Sequence, residues 1–262
     1  MIQLKSKAEI VVLRENADLI NEFLGELIRA AQPGVSTSEL DELAETLMAE
    51  AGVTSAFKGY RGFPASICAS INEEIVHGIP SPDRVLSDGD LLSIDTGFER
   101  QGLYADKGDT VVVGTPTEAT AELIGVAREA LWRGIDQARH GHRVGDISHA
   151  IGSYIAGRGY RAVRHFVGHG IGREMHEDPQ IPNEGAPGRG PKLKAGMVVA
   201  IEPMVWKADP DDDGTDEEWV ADDGWTVRTP NGQWAAHVEE MVLVTKGDPE
   251  VLTAMDNAEG WS

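Results

Sequence analysis

The sequence has one cysteine, few basic residues and no long hydrophobic run. The single cysteine among 262 residues excludes a disulfide framework and a cysteine-based zinc cluster, and it fits a reducing compartment. Lysine and arginine number 23 against 44 aspartate and glutamate residues, which gives a formal net charge of −21. Because affinity for phosphate is built from basic side chains, this balance argues against direct binding of nucleic acid.

Membrane and export signals are not visible in the sequence. No segment approaches the run of about 18 apolar residues that a membrane span needs. The N-terminus shows no apolar segment followed by a small-residue cleavage site. The composition, with 41% hydrophobic and 26% charged residues, is typical of a soluble globular protein. We expect a cytoplasmic monomer that binds neither membranes nor nucleic acid.

The pattern of apolar residues predicts two pairs of amphipathic helices and several strands. Ser6 with Glu9 and Ser36 with Glu39 form candidate capping boxes. Each precedes a stretch with apolar residues at helical spacing, so the first two helices begin there. The other predicted elements are helices at about 118–138 and 145–156 and strands at 91–94, 110–113, 197–201 and 241–244.

The chain contains an internal repeat. A shift of 107 residues places Asp95 on Glu202, and a shift of 133 places Asp106 on Glu239. Acids that match in two strand contexts indicate two related α/β halves, each of which contributes two carboxylates from paired strands. The halves span about residues 8–114 and 117–247 of one catalytic domain, residues 1–262.

The 26 additional residues of the second half contain a run of acidic side chains. Nine acids fall between Asp209 and Asp223. The run lacks the ligand spacing of an EF-hand loop, so we interpret it as a solvated insertion at about 209–218 rather than as a cation site.

Asp95 and Asp106 are predicted to lie close together on one face of a hairpin. If the first strand turns near Arg100 and Gln101, Asp95 lies directly opposite Asp106. Two neighbouring carboxylates are costly to bury unless a proton or a cation lies between them. A shift of the strand register by one residue would turn one of the two side chains to the opposite face. Asp109 would point to the opposite face.

The second half offers Glu202 and Glu239 in the matching positions and His169 within a glycine-rich turn. Small neighbours let the backbone around His169 approach a site closely. Four carboxylates and one imidazole suit Mn²⁺, Fe²⁺, Co²⁺ or Zn²⁺, and two ions sharing bridging carboxylates suit four acids better than one ion. We interpret the remaining histidines as structural or exposed, namely His140, His142, His149, His165 and His237.

Short motifs follow one another in order along the chain. They are GFPASIC at 62–68, NEEIVHGIP at 72–80, SID at 93–95, GHGIG at 168–172, IEPM at 201–204 and DGWTV at 223–227, with Asp106, His176 and Glu239 at matching intervals. Together they resemble the methionine aminopeptidases of the short bacterial type I, over nearly the whole chain. The resemblance implies the pita-bread fold, an α+β architecture of two pseudo-symmetric halves around a curved antiparallel sheet. That fold agrees with the repeat.

The resemblance implies a metal-dependent exopeptidase that removes the initiator methionine from nascent proteins and peptides with a small second residue. It implies two divalent ions (Co, Mn, Fe, Zn or Ni) bridged by Asp106 and Glu239. Asp95 would hold one ion, and His169 with Glu202 the other. A hydroxide activated by both metals would attack the peptide carbonyl, and Glu202 would carry the proton to the leaving amine. The resemblance also implies nascent chains as partners, and contact with the ribosome is a further expectation from it.

The resemblance further implies substrate contacts. His77 and His176 would contact the substrate amide and the developing tetrahedral oxygen. Without the resemblance, the apolar residues of the implied methionine pocket would be interpreted as ordinary core packing. These pocket residues are Phe57, Tyr60, Phe63, Cys68, Met175 and Trp225, together with the two histidines.

Two departures from the family pattern lie beside implied ligands. Lys107 follows Asp106 where the family usually has a small hydroxyl residue, and Glu240 follows Glu239 where a histidine is often found. Neither departure removes a ligand.

Two other functions fit the same motifs. An X-Pro aminopeptidase or prolidase of this fold would share the five ligands, but such enzymes usually carry a large additional N-terminal domain. A pita-bread binding protein without activity would typically have lost ligands, whereas this chain retains all five.

Overall fold

The computed structural model describes residues 2–208, 217–230 and 232–254 of the chain. Most of the acidic insertion predicted at about 209–218 lies outside these described residues. Within them, no helix is both long enough and apolar enough to cross a membrane.

One acid of the run, Glu218, is buried, which corrects the prediction of a wholly solvated segment, although Glu217, Asp222 and Asp223 are exposed. Glu218 is 8% exposed, and its carboxylate accepts hydrogen bonds from the backbone N–H groups of Arg164 and His165. These two donors compensate the cost of burying a charged group.

The helices form the two predicted pairs. Ser6 and Ser36 accept hydrogen bonds from the backbone of Glu9 and Glu39, whose side chains accept from the cap residues in return, so both predicted capping boxes are present. The helices are α1 (Lys7–Ala30), α2 (Thr37–Ala51), α3 (Glu118–Ile135) and α4 (Val144–Gly157), and a 3₁₀ turn covers Tyr60–Gly62.

The strands pair antiparallel throughout the described part of the chain. Up to residue 112 they are β1 (Thr54–Ser55), β2 (Ile67–Ile71), β3 (Glu74–Val76), β4 (Leu91–Arg100) and β5 (Leu103–Val112). Beyond it they are β6 (Tyr160–Ala162), β7 (Gly168–Gly170), β8 (Glu177–Ile181), β9 (Val198–Ile201), β10 (Met204–Lys207), β11 (Trp219–Val220), β12 (Val227–Arg228), β13 (Ala235–His237), β14 (Glu240–Leu243) and β15 (Glu250–Val251).

Each helix pair packs on one of the larger sheets. The α1–α2 pair covers the four-stranded sheet of β1, β2, β4 and β5, burying Leu27 and Leu40 against Leu92 and Ile94. The α3–α4 pair covers strands of the second half, including β9 and β14, which belong to the five-stranded sheet β15-β14-β9-β7-β8. The α+β class is therefore confirmed, and the boundaries of the two halves stay a prediction.

Candidate metal centre and substrate pocket

The β4–β5 hairpin turns one residue later than predicted. Arg100 pairs with Leu103, so the two-residue turn is Gln101-Gly102. Both turn residues have positive φ, 57° and 77°. A turn of this kind matches the twist of the flanking strands, and glycine adopts it without steric cost.

The later turn changes the partners of the two acids in the hairpin. Asp95 lies opposite Gly108, and Asp106 lies opposite Gly97. The predicted direct pairing of Asp95 with Asp106 is therefore wrong. Both side chains lie on the same face of the hairpin, as predicted. Asp106 is two residues from Gly108, the residue opposite Asp95, so the two acids are diagonal neighbours. Asp109 points to the other face and forms an ion pair with Arg128 of α3, 2.9 Å away.

Three neighbouring strands carry the ligand candidates of the second half. His169 is the middle residue of β7 and lies opposite Ala200 of β9. Ile201 at the end of β9 pairs with Glu240 at the start of β14. This register, continued by one residue, places Glu202 opposite Glu239.

The two sheets meet where β5 lies beside β14. The backbone N–H of Glu239 donates to the carbonyl oxygen of Gly108 at 2.8 Å, and that of Asp106 donates to Sδ of Met241 at 3.3 Å. These contacts bring the acids of the first half to those of the second. The ligand atoms of Asp106, His169 and Glu239 all lie within 4.8 Å of one another.

The imidazole of His169 is oriented toward the carboxylates. Its Nδ1 lies 3.0 Å from the carbonyl oxygen of Gly170, so Nδ1–H donates there and Nε2 faces the cluster. Nε2 is 3.5 Å from Oδ2 of Asp106 and 3.5 Å from Oε1 of Glu202. A second bond that fixes the tautomer is the usual arrangement of a metal-ligating histidine.

Burial shifts the protonation of this cluster. It raises the pKa of the Asp95 and Glu239 carboxyls well above their usual range, and the negative charges of neighbouring acids add to the shift. Burial also raises the pKa of Asp106, although His169 opposes that shift. Burial lowers the pKa of His169, but the hydrogen bond to Asp106 and the charge of Glu202 outweigh it, and the pKa is raised.

The residues of the cluster fit divalent metal ions. Within the part of the chain that the structure describes, Oδ1 of Asp95, Oδ1 of Asp106 and Oε1 of Glu239 are buried without a hydrogen-bond partner. Unpaired buried oxygens are rare because each costs desolvation free energy. A cation among them would supply the missing partner, and an oxygen and imidazole donor set suits divalent transition metals.

The predicted pocket residues lie beside the acids. Cys68 of β2 is directly opposite Asp95, and burial raises the pKa of its thiol. The rings of Phe63 and Trp225 meet edge to face with centroids 5.1 Å apart, in one apolar cluster with Cys68 and Phe57.

Met175 closes another side of this region. A Cβ placed on Gly97 would lie 2.9 Å from Cε1 of Phe57 and 3.2 Å from Cε of Met175. Both side chains therefore occupy the space left by this glycine, which itself lies opposite Asp106.

The two predicted substrate-contacting histidines have different neighbours. The ring of His176 is 4.3 Å from that of His169 and stacks on Tyr60 at 5.3 Å, centroid to centroid. His77 follows β3 with a φ of 59°, half-buried near the ring of Trp225 at 6.2 Å.

Two residues of the site were not predicted from the sequence. His237 is buried with Nε2 3.6 Å from Oε2 of Glu202, and its ring would be 2.9 Å from a Cβ on Gly108. Its spacing of two residues from Glu239 was an available signal for a shared strand face. Phe166 packs edge to face on His77 at 5.4 Å, and no sequence signal indicated it.

Comparison with known proteins gives consistent matches. Residues 12–246 match the profile of metallopeptidase family M24. A methionine aminopeptidase of Clostridium acetobutylicum is 48% identical over 253 residues, which cover 97% of this chain and 99% of the relative. Methionine aminopeptidase 1 of Bacillus subtilis is 42% identical over 253 residues, with the same coverage.

Solved structures give matching results. The crystal structure of a methionine aminopeptidase from Thermotoga maritima superposes with a TM-score of 0.92 at 40% identity, covering 97% of this chain and 100% of that one. An Xaa-Pro dipeptidase from Bacillus anthracis superposes with a TM-score of 0.77 at 25% identity, and only 63% of its chain is covered.

Proposed function

The chain belongs to metallopeptidase family M24, and from this premise we propose that it is a metallo-aminopeptidase which removes N-terminal methionine. The predicted pita-bread fold is confirmed by the superposition on M24 structures. The observation that carries the function is the buried cluster of Asp106, His169 and Glu239, contributed by two sheets. Relatives that match over nearly the full length are methionine aminopeptidases.

Membership of the family implies that the enzyme uses divalent metal. We propose two ions, with Asp106 and Glu239 shared between them, Asp95 on one ion and His169 with Glu202 on the other. The unpaired buried oxygens of Asp95, Asp106 and Glu239 support this assignment. Bound ions would lower the pKa of a water ligand and polarise the scissile carbonyl. The candidate metals are Co, Mn, Fe, Zn and Ni.

Glu202 is the proposed proton carrier. Its Oε1 lies 3.5 Å from His169 and its Oε2 lies 3.6 Å from His237. The side chain is 14% exposed, whereas that of Asp106 is 5% exposed. A carboxylate at the edge of a buried cluster can accept a proton on one side and deliver it to the leaving amine on the other.

His77 and His176 are the proposed donors to the substrate. Each ring packs against an aromatic neighbour, His176 on Tyr60 and His77 on Phe166. Partial burial lowers the pKa of His77 to about 4, so its imidazole is neutral at pH 7. A fixed neutral donor aimed at a developing oxyanion stabilises the transition state without moving at the moment of reaction.

The methionine side chain would enter the apolar region next to the metal centre. An apolar slot with aromatic walls and sulfur neighbours suits a thioether. The proximity of this region to Asp95 and Asp106 supports the assignment, since the carbonyl carbon of the scissile bond belongs to the same residue as the methionine side chain. The proposed lining residues are Phe57, Tyr60, Phe63, Cys68, Met175, Trp225, His77 and His176.

Cleavage of peptides separates this function from its nearest alternative. We expect the metal-loaded protein to release methionine from Met-Ala-Ser and to leave Ala-Pro-Ser intact. Cleavage of the proline peptide alone would favour an X-Pro aminopeptidase. Cleavage of neither, at full metal loading, would favour a binding protein without activity.

Partners and location follow from the proposed substrate. The substrates are peptides and nascent chains that begin with methionine and have a small second residue. A monomeric state, a cytoplasmic location and contact with the ribosome stay predictions. Sedimentation of the purified chain with and without ribosomes would test the first and the last of these.

A further inference from the structure

A buried ion pair joins the residues that follow two proposed metal ligands. Lys107 follows Asp106, and Glu240 follows Glu239. Nζ of Lys107 lies 2.8 Å from both carboxylate oxygens of Glu240. The lysine side chain is 2% exposed and the glutamate side chain 14% exposed. Lysine is rarely buried to this extent unless it is paired, so the pair is a built feature of the fold.

The ion pair lies behind the metal cluster. Side chains alternate along a strand, so Lys107 and Glu240 point away from the face that Asp106 and Glu239 present. The pair connects β5 of one sheet to β14 of the other. Two hydrogen bonds described above join β5 to β14 and the residue before it, and the donor of each is the backbone N–H of one of these ligand residues.

Every donor of the buried ammonium group is used. Besides the two oxygens of Glu240, Nζ of Lys107 donates to the carbonyl oxygen of Thr253. The hydroxyl of Thr253 donates to Glu240 and accepts from the backbone N–H of Met241 at 2.9 Å. An ion pair whose hydrogen bonds are all satisfied has a fixed geometry. A group that holds metal-ligating residues in position requires such a geometry.

We propose that Lys107 and Glu240 are positioning residues for the metal centre, and this inference rests on the proposed function. The ion pair holds β5 and β14 at the separation at which Asp106 and Glu239 would hold metal. The carboxylates of the cluster repel one another across this junction, and the pair opposes their separation without adding net charge. Its loss therefore weakens metal binding before any substrate is bound.

Metal affinity of the folded, metal-free protein tests this role. We expect Lys107→Met and Glu240→Gln to bind Mn²⁺ about 10–100-fold more weakly by titration calorimetry, as is usual when a group supporting a ligand is lost. The visible absorption bands of bound Co²⁺ should also change, since they report the geometry of the ligands. Circular dichroism at the titration temperature establishes that each variant is folded.

The matched control is a second ion pair on the same face of β5. Arg128 pairs with Asp109 but connects β5 to a helix rather than to β14. Arg128→Met should leave the Mn²⁺ affinity and the Co²⁺ spectrum at the wild-type values.

Two further variants keep the test decisive if Lys107→Met or Glu240→Gln alone prevents folding. Thr253→Val removes the hydroxyl contact to Glu240 and leaves both charges, so it should weaken Mn²⁺ binding by a smaller factor. The double variant Lys107→Met/Glu240→Leu removes both charges, and an apolar pair of this kind often restores stability. We expect the double variant to be stable and still to bind Mn²⁺ weakly.

Folded variants with wild-type Mn²⁺ affinity and Co²⁺ spectrum, and only a lower melting temperature, would overturn the inference. That result differs from failure of the proposed function, in which the wild-type protein itself binds no metal or leaves Met-Ala-Ser uncut.

Discussion

Gly97 lies directly opposite Asp106 in the β4–β5 hairpin, so a position without a side chain adjoins a proposed metal ligand. Phe57 and Met175 fill the space beside this glycine. The proposed methionine pocket and the proposed metal centre therefore share one strand pair, and the distance between them is set by strand geometry.

Gly97→Ala tests the position of the pocket. The new Cβ would lie 2.9 Å from Cε1 of Phe57 and 3.2 Å from the backbone oxygen of Ala105, which cannot move aside as a side chain can. Overpacking of this kind costs about 1–3 kcal/mol, so we expect KM for Met-Ala-Ser to rise about tenfold. Gly125→Ala, in open space on α3, is the control and should leave KM unchanged. An unchanged KM in Gly97→Ala would place the methionine side chain elsewhere.

Asp106→Asn and His169→Ala test the ligand assignment. Each removes a donor from the cluster, and we expect hydrolysis of Met-Ala-Ser to be abolished while circular dichroism shows a folded protein. Asparagine keeps the shape of aspartate and lowers the repulsion among buried carboxylates, so loss of folding is not expected. His149→Ala, on the exposed face of α4, should retain activity. Undiminished hydrolysis in either ligand variant would refute its assignment.

Local sequence signals predicted the helices. They could not determine which two residues form the turn of the β4–β5 hairpin, and the register depends on that turn. The capping boxes at Ser6 and Ser36 are formed within four residues, so the sequence contains all that they need. The turn of the β4–β5 hairpin depends on which two residues take positive φ. The pair Gln101-Gly102 does so, one residue beyond the predicted pair.

The repeat predicted which acids correspond but not how they face each other. Asp95 and Asp106 are diagonal neighbours, whereas the register places Glu202 directly opposite Glu239. His237 belongs to β13 of a third sheet and reaches the site where its ring packs on Gly108 of β5. Its spacing from Glu239 was a local signal, but this tertiary contact is not contained in any local pattern. The apolar pocket residues resemble core residues in any single sequence, so only the family resemblance distinguished them.

The low pKa of His77 predicts a specific pH dependence of folding. Partial burial lowers the pKa from 6.5 to about 4, the charge of Glu202 opposes the shift, and that of His237 adds to it. As pH falls, the unfolded chain binds this proton first, so stability is lost between pH 6.5 and about 4, by about 3 kcal/mol in total. Urea unfolding of His77→Gln at pH 7 and 4.5 should show a correspondingly smaller loss.

An exposed histidine provides the comparison for this measurement. His149→Gln should lose stability with falling pH as the wild type does, because its ring is exposed in the folded state. Equal losses in His77→Gln and the wild type would show that His77 titrates normally.

Removal of metal should reveal a pH dependence of stability that the buried acids impose. Burial and like charge raise the pKa of Asp95 and Glu239 above the usual values of 3.8 and 4.5. In metal-free protein the folded state then binds more protons than the unfolded chain. The stability from this source is complete below about pH 4 and is lost as pH rises through the raised pKa values. Metal ions replace these protons, so their binding should release protons.

Two measurements check this expectation. In EDTA, the melting temperature of the wild type should fall as pH rises through the raised pKa values, and Mn²⁺ at 100 times its Kd should add about 2.7 kcal/mol to the free energy of unfolding. Asp95→Asn should flatten the decline in EDTA, because an amide does not titrate. Titrations of Mn²⁺ in two buffers of different ionisation enthalpy give the number of protons released. Zero release, or the same decline in Asp95→Asn as in the wild type, would mean that Asp95 is already ionised in the metal-free fold.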